Sequence, residues 1–462
     1  FGRGPAEDLA PYDPVDLAIL ATGSWERLGE RRLGRPRITV ANPDAASGTA
    51  FASVTIIEIL NDNMPFLVDS VMGELTDSSL GIRLVLHPIV TVRRDATGRL
   101  EAFKGAEVPF EGESRESLIH IHVDRIASET ERTALAERLD GTLADVRAAV
   151  TDWRVMLARV DAAIAAYRTS PPPLPVEETA EALQFLEWLR DDNFTFLGLR
   201  EYTNRPVDGT ARIERLEGSG LGVLRNETLK VFRRGEAALN SSAELRDFLR
   251  STRALMVTKA NLRSRIHRRV HMDAISLKLY GDDGALTGEL RLVGLFTSTA
   301  YTRSTRTIPY VRRKVDRTLA QAGFDPTGHS GKALINVMES YPRDELFQID
   351  ERSLYDFALQ IMALDEHPRV RVLARRDTLD RFVSVLVYVP RERYSTDIRV
   401  RIGEYLERAF AGRVVNWQPA FPEGSLARVH FIVGRYEGAT PEIGQEALEQ
   451  ASVLLLVAQD PD

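Results

Sequence analysis

Apolar residues recur along this chain in two rhythms, every second position and every third or fourth, and the changes of rhythm divide it into three blocks. In the first, residues 54–60 are rich in β-branched side chains and end at Asn61-Asp62-Asn63, which predicts a strand running into a turn. Pro65 suits the first turn of a following helix, where its missing N–H is not needed. Leu67, Val68, Val71, Met72 and Leu75 then share one helical face. A long strand is predicted over 82–92, a hairpin turn at Asp95-Ala96-Thr97-Gly98, and an alternating strand over 118–124 with Ile119, Ile121 and Val123 on one side. Alanine-rich helical sequence fills 128–168. The order strand, helix, strand, strand, helix is that of a ferredoxin-like α+β unit.

Ser170-Pro171-Pro172-Pro173-Leu174-Pro175 is stiff and cannot be helical, so it reads as a linker. After a helix around 183–189 the second block turns strand-rich, over 194–202, 229–233, 270–280 and 289–299, with a tight turn at Asp282-Asp283-Gly284. Two helical faces follow. One holds Ile308, Val311, Val315 and Leu319, with Pro309 in its first turn. The other holds Leu354, Phe357, Ala358, Ile361 and Met362, with Asp350 as N-cap. The third block repeats the α+β theme. Strands 370–375 and 382–389 are joined through Asp377-Thr378-Leu379-Asp380, a helix carries Ile398, Ile402, Leu406 and Phe410, and strand 429–433 precedes a last helix over 447–457. The expected organisation is a first module at 1–169, a linker at 170–178, an antiparallel sheet domain at 179–303, a helical connector at 304–366 and a second module at 367–462.

The length of 462 residues fits about three domains, and 44% hydrophobic with 27% charged residues is ordinary for chains that bury real cores. The absence of cysteine excludes disulfides, thiolate metal sites and a cysteine nucleophile. Apolar runs such as 451–458 fall short of the roughly 20 residues that span a bilayer. No basic segment followed by an apolar one opens the chain, so a cytoplasmic location is expected. Its first residue is Phe1, which suggests an excised part of something longer. A net charge of −7 argues against a dedicated nucleic-acid binder.

Several segments resemble chemical motifs and fail them. Gly218-Ser219-Gly220-Leu221-Gly222 has Val223 where a dinucleotide loop needs its third glycine, and reads as a mobile hairpin loop. Gly328-His329-Ser330-Gly331-Lys332-Ala333 lacks both the glycine at 326 and the hydroxyl at 333 of a phosphate loop, and reads as a helix start at which Lys332 offers an anion contact. His120, His122 and Asp124 alternate on one strand face, either as metal ligands or as a lightly packed surface, and no second element supplies another ligand. His267 and His271 are four apart in extended sequence, which is wrong for helical ligation. Arg263, Arg265, Arg268 and Arg269, with Arg303, Arg306, Arg312 and Arg313, form either an anion patch or ordinary ion pairs. The candidate binding element is the turn Asn61-Asp62-Asn63-Met64-Pro65-Phe66, because backbone N–H groups at the helix start beyond it would face an anionic ligand such as an amino-acid carboxylate.

That strand–loop–proline–helix element resembles an ACT domain, the small βαββαβ module that often binds amino acids as effectors. ACT loops usually carry Pro-Gly, whereas here Phe66 follows Pro65, so packing against a neighbouring domain competes with ligand binding. More widely, the chain resembles the large bacterial NAD-specific glutamate dehydrogenases. The likeness runs through Asn61-Asp62-Asn63-Met64-Pro65-Phe66-Leu67-Val68-Asp69-Ser70, Gly294-Leu295-Phe296-Thr297-Ser298 and Gly331-Lys332-Ala333-Leu334. It continues through Met338-Glu339-Ser340, the stretch 341–350 and Leu386-Val387-Tyr388-Val389-Pro390-Arg391.

The resemblance implies an α+β multidomain chain in which two ferredoxin-like ACT-type modules flank a mostly antiparallel PAS-like domain and helical segments. It implies a parent enzyme that converts L-glutamate, NAD and water to 2-oxoglutarate, ammonia and NADH. None of the dehydrogenase motifs occurs here, so no catalytic residue, metal or cofactor site is expected in this chain, and NAD belongs to a catalytic domain elsewhere in the parent. The implied partners are that catalytic domain, other subunits of a homo-oligomer and a free amino-acid effector, with neither nucleic acid nor membrane. A regulatory and oligomerisation region is one reading; a purely structural subunit-interaction scaffold without an effector site is the other.

Overall fold

The computed structural model describes residues 6–43, 51–206, 212–232, 243–436 and 438–458. After a short helix α1 (Ala6–Leu9) and helix α2 (Pro14–Leu28), the first module consists of β1 (Arg37–Ala41), β2 (Val54–Asp62), α3 (Leu67–Asp77), β3 (Ile82–Leu86), β4 (Ile89–Arg94), β5 (Leu100–Gly105), β6 (Ser114–Asp124) and α4 (Glu129–Thr169). Its antiparallel sheet runs β1-β2-β6-β4-β5, with β3 also on β6. The single strand expected over 82–92 is therefore two, broken at His87-Pro88. Proline has no N–H to give the ladder, and its carbonyl instead accepts from Leu118 at 3.0 Å. The edge place beside β2, which in a ferredoxin-like unit belongs to the last strand, is filled by β1 from upstream. Ile57, Ile59, Ile119, Ile121 and Val123 face α3 and α4, while Glu58, Leu60, His120 and His122 face α2.

Helix α4 joins the blocks. Ser128 caps its start, and its 41 residues extend about 60 Å. Its buried stripe passes through Leu135, Leu139, Leu143 and Val146 in the first module's core, then Met156, Val160, Ile164 and Tyr167 in the next. Asp152 sits where the stripe changes partners, accepting the Gly222 N–H at 2.7 Å and pairing with Arg225. The expected mobile loop at 218–222 is thus anchored instead. Gly222 has φ +58, and a Cβ there would lie 2.1 Å from the Leu197 carbonyl, so only glycine fits.

Helix α5 (Val176–Trp188) leads into the middle sheet of β7 (Phe194–Asn204), β8 (Ile213–Arg215), β9 (Leu221–Gly222), β10 (Leu255–Arg263), β11 (His271–Tyr280) and β12 (Leu286–Phe296), with α6 (Ala243–Arg250) before β10. The order is β10-β11-β12-β7-β8, all antiparallel, with β9 also on β7. Residues 229–232 form no strand, contrary to expectation; Val231 and Phe232 are buried, the Val231 carbonyl accepting the Asn261 N–H at 2.7 Å, and Arg233 lies outside the described residues. One sheet face (Leu255, Val257, Ile275, Leu277, Leu292) packs on α5 and the helices that follow. The other (Met256, Ala274, Val293, Leu295) joins the core of the first module.

Those following helices are α7 (Ser298–Thr302), α8 (Val311–Ala322), α9 (His329–Ser340), α10 (Arg343–Gln348) and α11 (Glu351–Glu366). Pro65 and Pro309 both stand ahead of their helices rather than inside the first turn, because the residue after each, Phe66 and Tyr310, takes a positive φ as N-cap. Asp350 caps α11 as expected, accepting the Ser353 N–H at 2.9 Å. The second module has β13 (Arg371–Arg376), β14 (Phe382–Pro390), α12 (Thr396–Ala409), β15 (Arg413–Ala420), β16 (Leu426–Gly434) and α13 (Gln445–Val457) in the sheet order β13-β14-β16-β15. This repeats the first module's arrangement, upstream edge strand included. Its Val383, Val385, Val387 and Val389 face α12 and α13, and its Leu373, Leu386 and Tyr388 face the connector helices. The chain is α+β throughout, with antiparallel sheets.

Candidate functional site

The turn 61–66 is held from both sides. Asn61 is fully buried, and its side-chain oxygen accepts from Arg147 of α4. Asp62 accepts from Arg31 at 2.5 Å and Arg147 at 3.3 Å, and the Asn63 N–H meets the Arg115 carbonyl at 3.0 Å. Met64 is half-buried on the core, and Pro65 is exposed. Phe66 has φ +70, the left-handed region where glycine is at ease and other residues pay about 1–2 kcal/mol. Its ring lies 5.4 Å from that of His267, itself at φ +62, in the loop between β10 and β11. The Ser70 hydroxyl accepts the His267 N–H at 3.1 Å, and Asp69 Oδ2 is 2.8 Å from His267 Nδ1. Arg269 lies across Gly73 and reaches the Ser70 carbonyl at 3.2 Å and Glu74 at 2.9 Å. The first turn of α3 carries a carboxylate, Asp69, turned to His267 of the middle block.

This geometry sets an order of stabilities. Phe66→Ala keeps the backbone strain and loses the ring contact, and is expected to cost about 1–2 kcal/mol. Phe66→Gly loses the same ring but relieves the strain, and should lie closer to the parent. Denaturant midpoints that rank alanine at or above glycine would remove strain at Phe66 from the account.

A second junction is built by residues 341–350. Tyr341, Leu346, Phe347 and Ile349 are buried, with Phe347 stacked on Phe296 of β12 at 4.1 Å between centroids and 7° between planes. Asp344 accepts from Tyr301 at 2.5 Å and shares Lys259 of β10, at 3.3 Å, with Asp273, at 2.7 Å. Burial raises the Asp273 carboxyl; for Asp344, burial is outweighed by Lys259 and the Tyr301 hydroxyl, which lower it. Glu345 forms a two-pronged pair with Arg375 of β13, both nearly inaccessible. The Lys314 ammonium of α8 caps the end of α10 through the Leu346, Phe347 and Ile349 carbonyls at 3.1, 2.8 and 2.8 Å, and burial with the nearby Arg375 charge pulls it down to about 7. Nearby, Arg381 and Asp377 of the second module bind Thr258 of β10.

The other sequence candidates separate. His120 and His122 are buried side by side under α2, whereas Asp124 at the strand end is exposed and paired with Arg83, so the three do not converge. Among the described residues, no group of three or more His, Asp or Glu side chains is arranged to hold a metal ion. Lys332 is exposed near the start of α9 without an ion-pair partner among the described residues. Arg263, Arg265, Arg269, Arg312 and Arg313 pair with Asp77, Asp145, Glu74, Glu181 and Glu178, as ordinary ion pairing requires. Sequence reasoning missed Lys259, Asp273, Tyr301 and Arg375. The one available signal was a lysine inside an apolar strand, Met256-Val257-Thr258-Lys259-Ala260. Among the described residues no helix is long and apolar enough to cross a membrane.

Comparison with known proteins matches these parts in order. Residues 1–139 match the family described as "Glutamate dehydrogenase, ACT1 domain", 308–367 "Glutamate dehydrogenase, helical motif 1" and 371–456 "Glutamate dehydrogenase, ACT2 domain". The NAD-specific glutamate dehydrogenase of Halomonas elongata is 36% identical over 457 residues, covering 98% of this chain and 28% of that protein. That of Pseudomonas aeruginosa is 33% identical over 92% of this chain and 26% of its own length. That of Mycobacterium tuberculosis is 28% identical over 96% and 26%. The chain thus spans about a quarter of the length of the curated relatives it matches. With both ferredoxin-like modules and the connector between them matched in sequence order, the chain belongs to the NAD-specific glutamate dehydrogenase family, of which it carries the ACT1, helical-motif and ACT2 domains.

Proposed function

We propose that this chain is the non-catalytic N-terminal region of a cytoplasmic NAD-dependent glutamate dehydrogenase, and that its work is to hold the subunit's architecture. The whole protein would oxidise L-glutamate to 2-oxoglutarate and ammonia with NAD, in a catalytic domain outside this region. The observation that carries the scaffold reading is the engagement of the turn 61–66. In an ACT module that turn is where an effector would approach, and here Phe66, Asp69 and Ser70 are committed to His267 of the middle block. The strand order β10-β11-β12-β7-β8 supports a PAS-like middle module, joined by polar contacts to the first module through Arg269 and Glu74 and to the second through Thr258 and Arg381. A rigid assembly of this kind positions partners, namely the catalytic domain and the other subunits of a homo-oligomer.

Calorimetric titration of the chain with the free amino acids and with NAD tests this. The expected result is no saturable heat from NAD and none from an amino acid that depends on the turn. One amino acid binding saturably, with affinity lost on changing Asn61 or Phe66, would make the region a sensor instead. NAD-linked glutamate turnover by this chain alone would overturn its non-catalytic assignment.

A further inference from the structure

Helix α2 lies across the outer face of the first module's sheet, and its hold there is thin. Only Leu20, Ser24 and Leu28 of its 15 residues are buried. Beneath it runs an unbroken chain of hydrogen-bonding groups. Tyr12 OH is 2.5 Å from His122 Nδ1, His122 Nε2 is 2.9 Å from His120 Nε2, and His120 Nδ1 is 2.8 Å from Glu58 Oε1. Glu58 also receives the Ser24 hydroxyl and the Arg27 guanidinium of α2. The two imidazoles are 1% and 0% exposed. Phe51 walls them off, stacked on Tyr12 at 5.8 Å and edge-on to His122 at 6.2 Å.

One arrangement of protons satisfies this chain with both imidazoles neutral. Tyr12 donates to His122, His122 Nε2–H donates to His120 Nε2, and His120 Nδ1–H donates to Glu58. A first added proton can be absorbed by reversing the His122 tautomer while Tyr12 turns to accept. A second cannot, because two N–H donors would then point at each other across 2.9 Å between two buried rings. The charged groups around the pair are mixed. Glu58 of β2, in contact with His120, favours a proton on the pair, and Arg27 of α2 opposes one. Farther out, Asp16 of α2 and Arg83 of β3 act on Tyr12 in opposite senses, and Arg37 of β1 acts on Arg27. Burial, first of all, pulls both imidazoles down to about 3.

The far end of α2 is fastened differently. Arg31 is buried against Glu116 at 2.8 Å and Asp62 at 2.5 Å, and Arg94 binds both Glu116 and the Leu28 carbonyl at 2.9 Å. No imidazole takes part in this knot. The helix is thus pinned by arginine at one end, and the histidine pair holds the rest indirectly, through Glu58 to Ser24 and Arg27 and through Tyr12 just ahead of the helix. We propose that His120 and His122 form an acid-operated latch, and that protonating both releases residues 6–28 about the Arg31 knot, uncovering the outer face of the first module's sheet.

Hydrogen exchange of the whole chain between pH 7 and pH 5, corrected at each pH for the intrinsic rate, tests the latch. Groups at about 3 when docked and 6.5 when released should cost α2 on the order of tenfold or more in protection by pH 5. β2 and β6 should keep theirs. His122→Gln, which keeps a donor and an acceptor but does not titrate, should flatten the response. Imidazole proton resonances followed in the unmodified chain give a reading independent of that variant's folding, since release must track their titration. Protection of α2 that holds to pH 5, that is lost only with the whole module, or that falls without imidazole titration would overturn the proposal.

Discussion

Glu345→Ala is expected to cost this chain about 3–5 kcal/mol of unfolding free energy, far more than the lost side chain's own packing. The carboxylate is almost fully buried and faces Arg375, which is buried as well, so its removal leaves a guanidinium without water and without its counter-charge. Burial by itself would raise the Glu345 carboxyl, yet Arg375 outweighs it and holds the group below its usual range. The damage should be local to one junction, since Arg375 belongs to β13 of the second module and Glu345 to α10 of the connector. Removing both charges by Glu345→Leu with Arg375→Met should recover most of the loss, because the desolvation cost disappears along with the pair. Chemical denaturation of the two forms checks this, and a double variant as damaged as the single one would mean that the pair is worth more than its burial cost.

The sequence was legible wherever an element buries one face and shows the other to water. Strand β6 and helices α3, α8 and α11 announce themselves by period alone, because their core residues recur at two or at three and four positions. Strands β1 and β15 escaped because neither shows such a contrast. Arg413–Ala420 exposes Asn416, Trp417 and Gln418 in succession, and Arg37–Ala41 has no fully buried residue. Helix α2 escaped because it buries so little. The two helix starts were misplaced because Phe66 and Tyr310 take φ values that their side chains disfavour, which only the surrounding contacts can impose. Pairs far apart in sequence were illegible for a different reason. Asp69 meets His267 across 198 residues, and nothing local in either segment specifies the other. The turn 61–66 could therefore be named as an element from its strand, proline and helix, while the surface that occupies it could not. The stretch 341–350 carried family resemblance without any recognisable chemistry, and the reason is now physical. Its alternate side chains are shared between two neighbouring domains, so nearly every position is constrained by packing or by a buried charge.

Phe347→Ala should be as costly as the charge deletion, about 3–5 kcal/mol, but by a different route. The ring is 1% exposed and stacks flat on Phe296, with Phe185 and Trp188 each at 6.1 Å. Truncation opens a cavity lined by rigid aromatic rings, which collapse poorly, so the transfer and cavity contributions both count. Phe347→Leu fills most of that space and should recover about half of the loss. Trp188 belongs to the same cluster, so with Trp25, Trp153 and Trp417 replaced by phenylalanine its fluorescence reports the junction during denaturation. Because α10 has only six residues, Phe347 grips the middle sheet while Glu345 grips the second module, and Lys314 ties off the end of the same turn. The two changes therefore strain a single short helix and should not add; together they are expected to cost less than their sum. If the combined loss equals the sum, α10 is two independent contacts that happen to be neighbours. If it falls short, the helix acts as one rivet between the domains, which is the property that a scaffold for a larger enzyme requires.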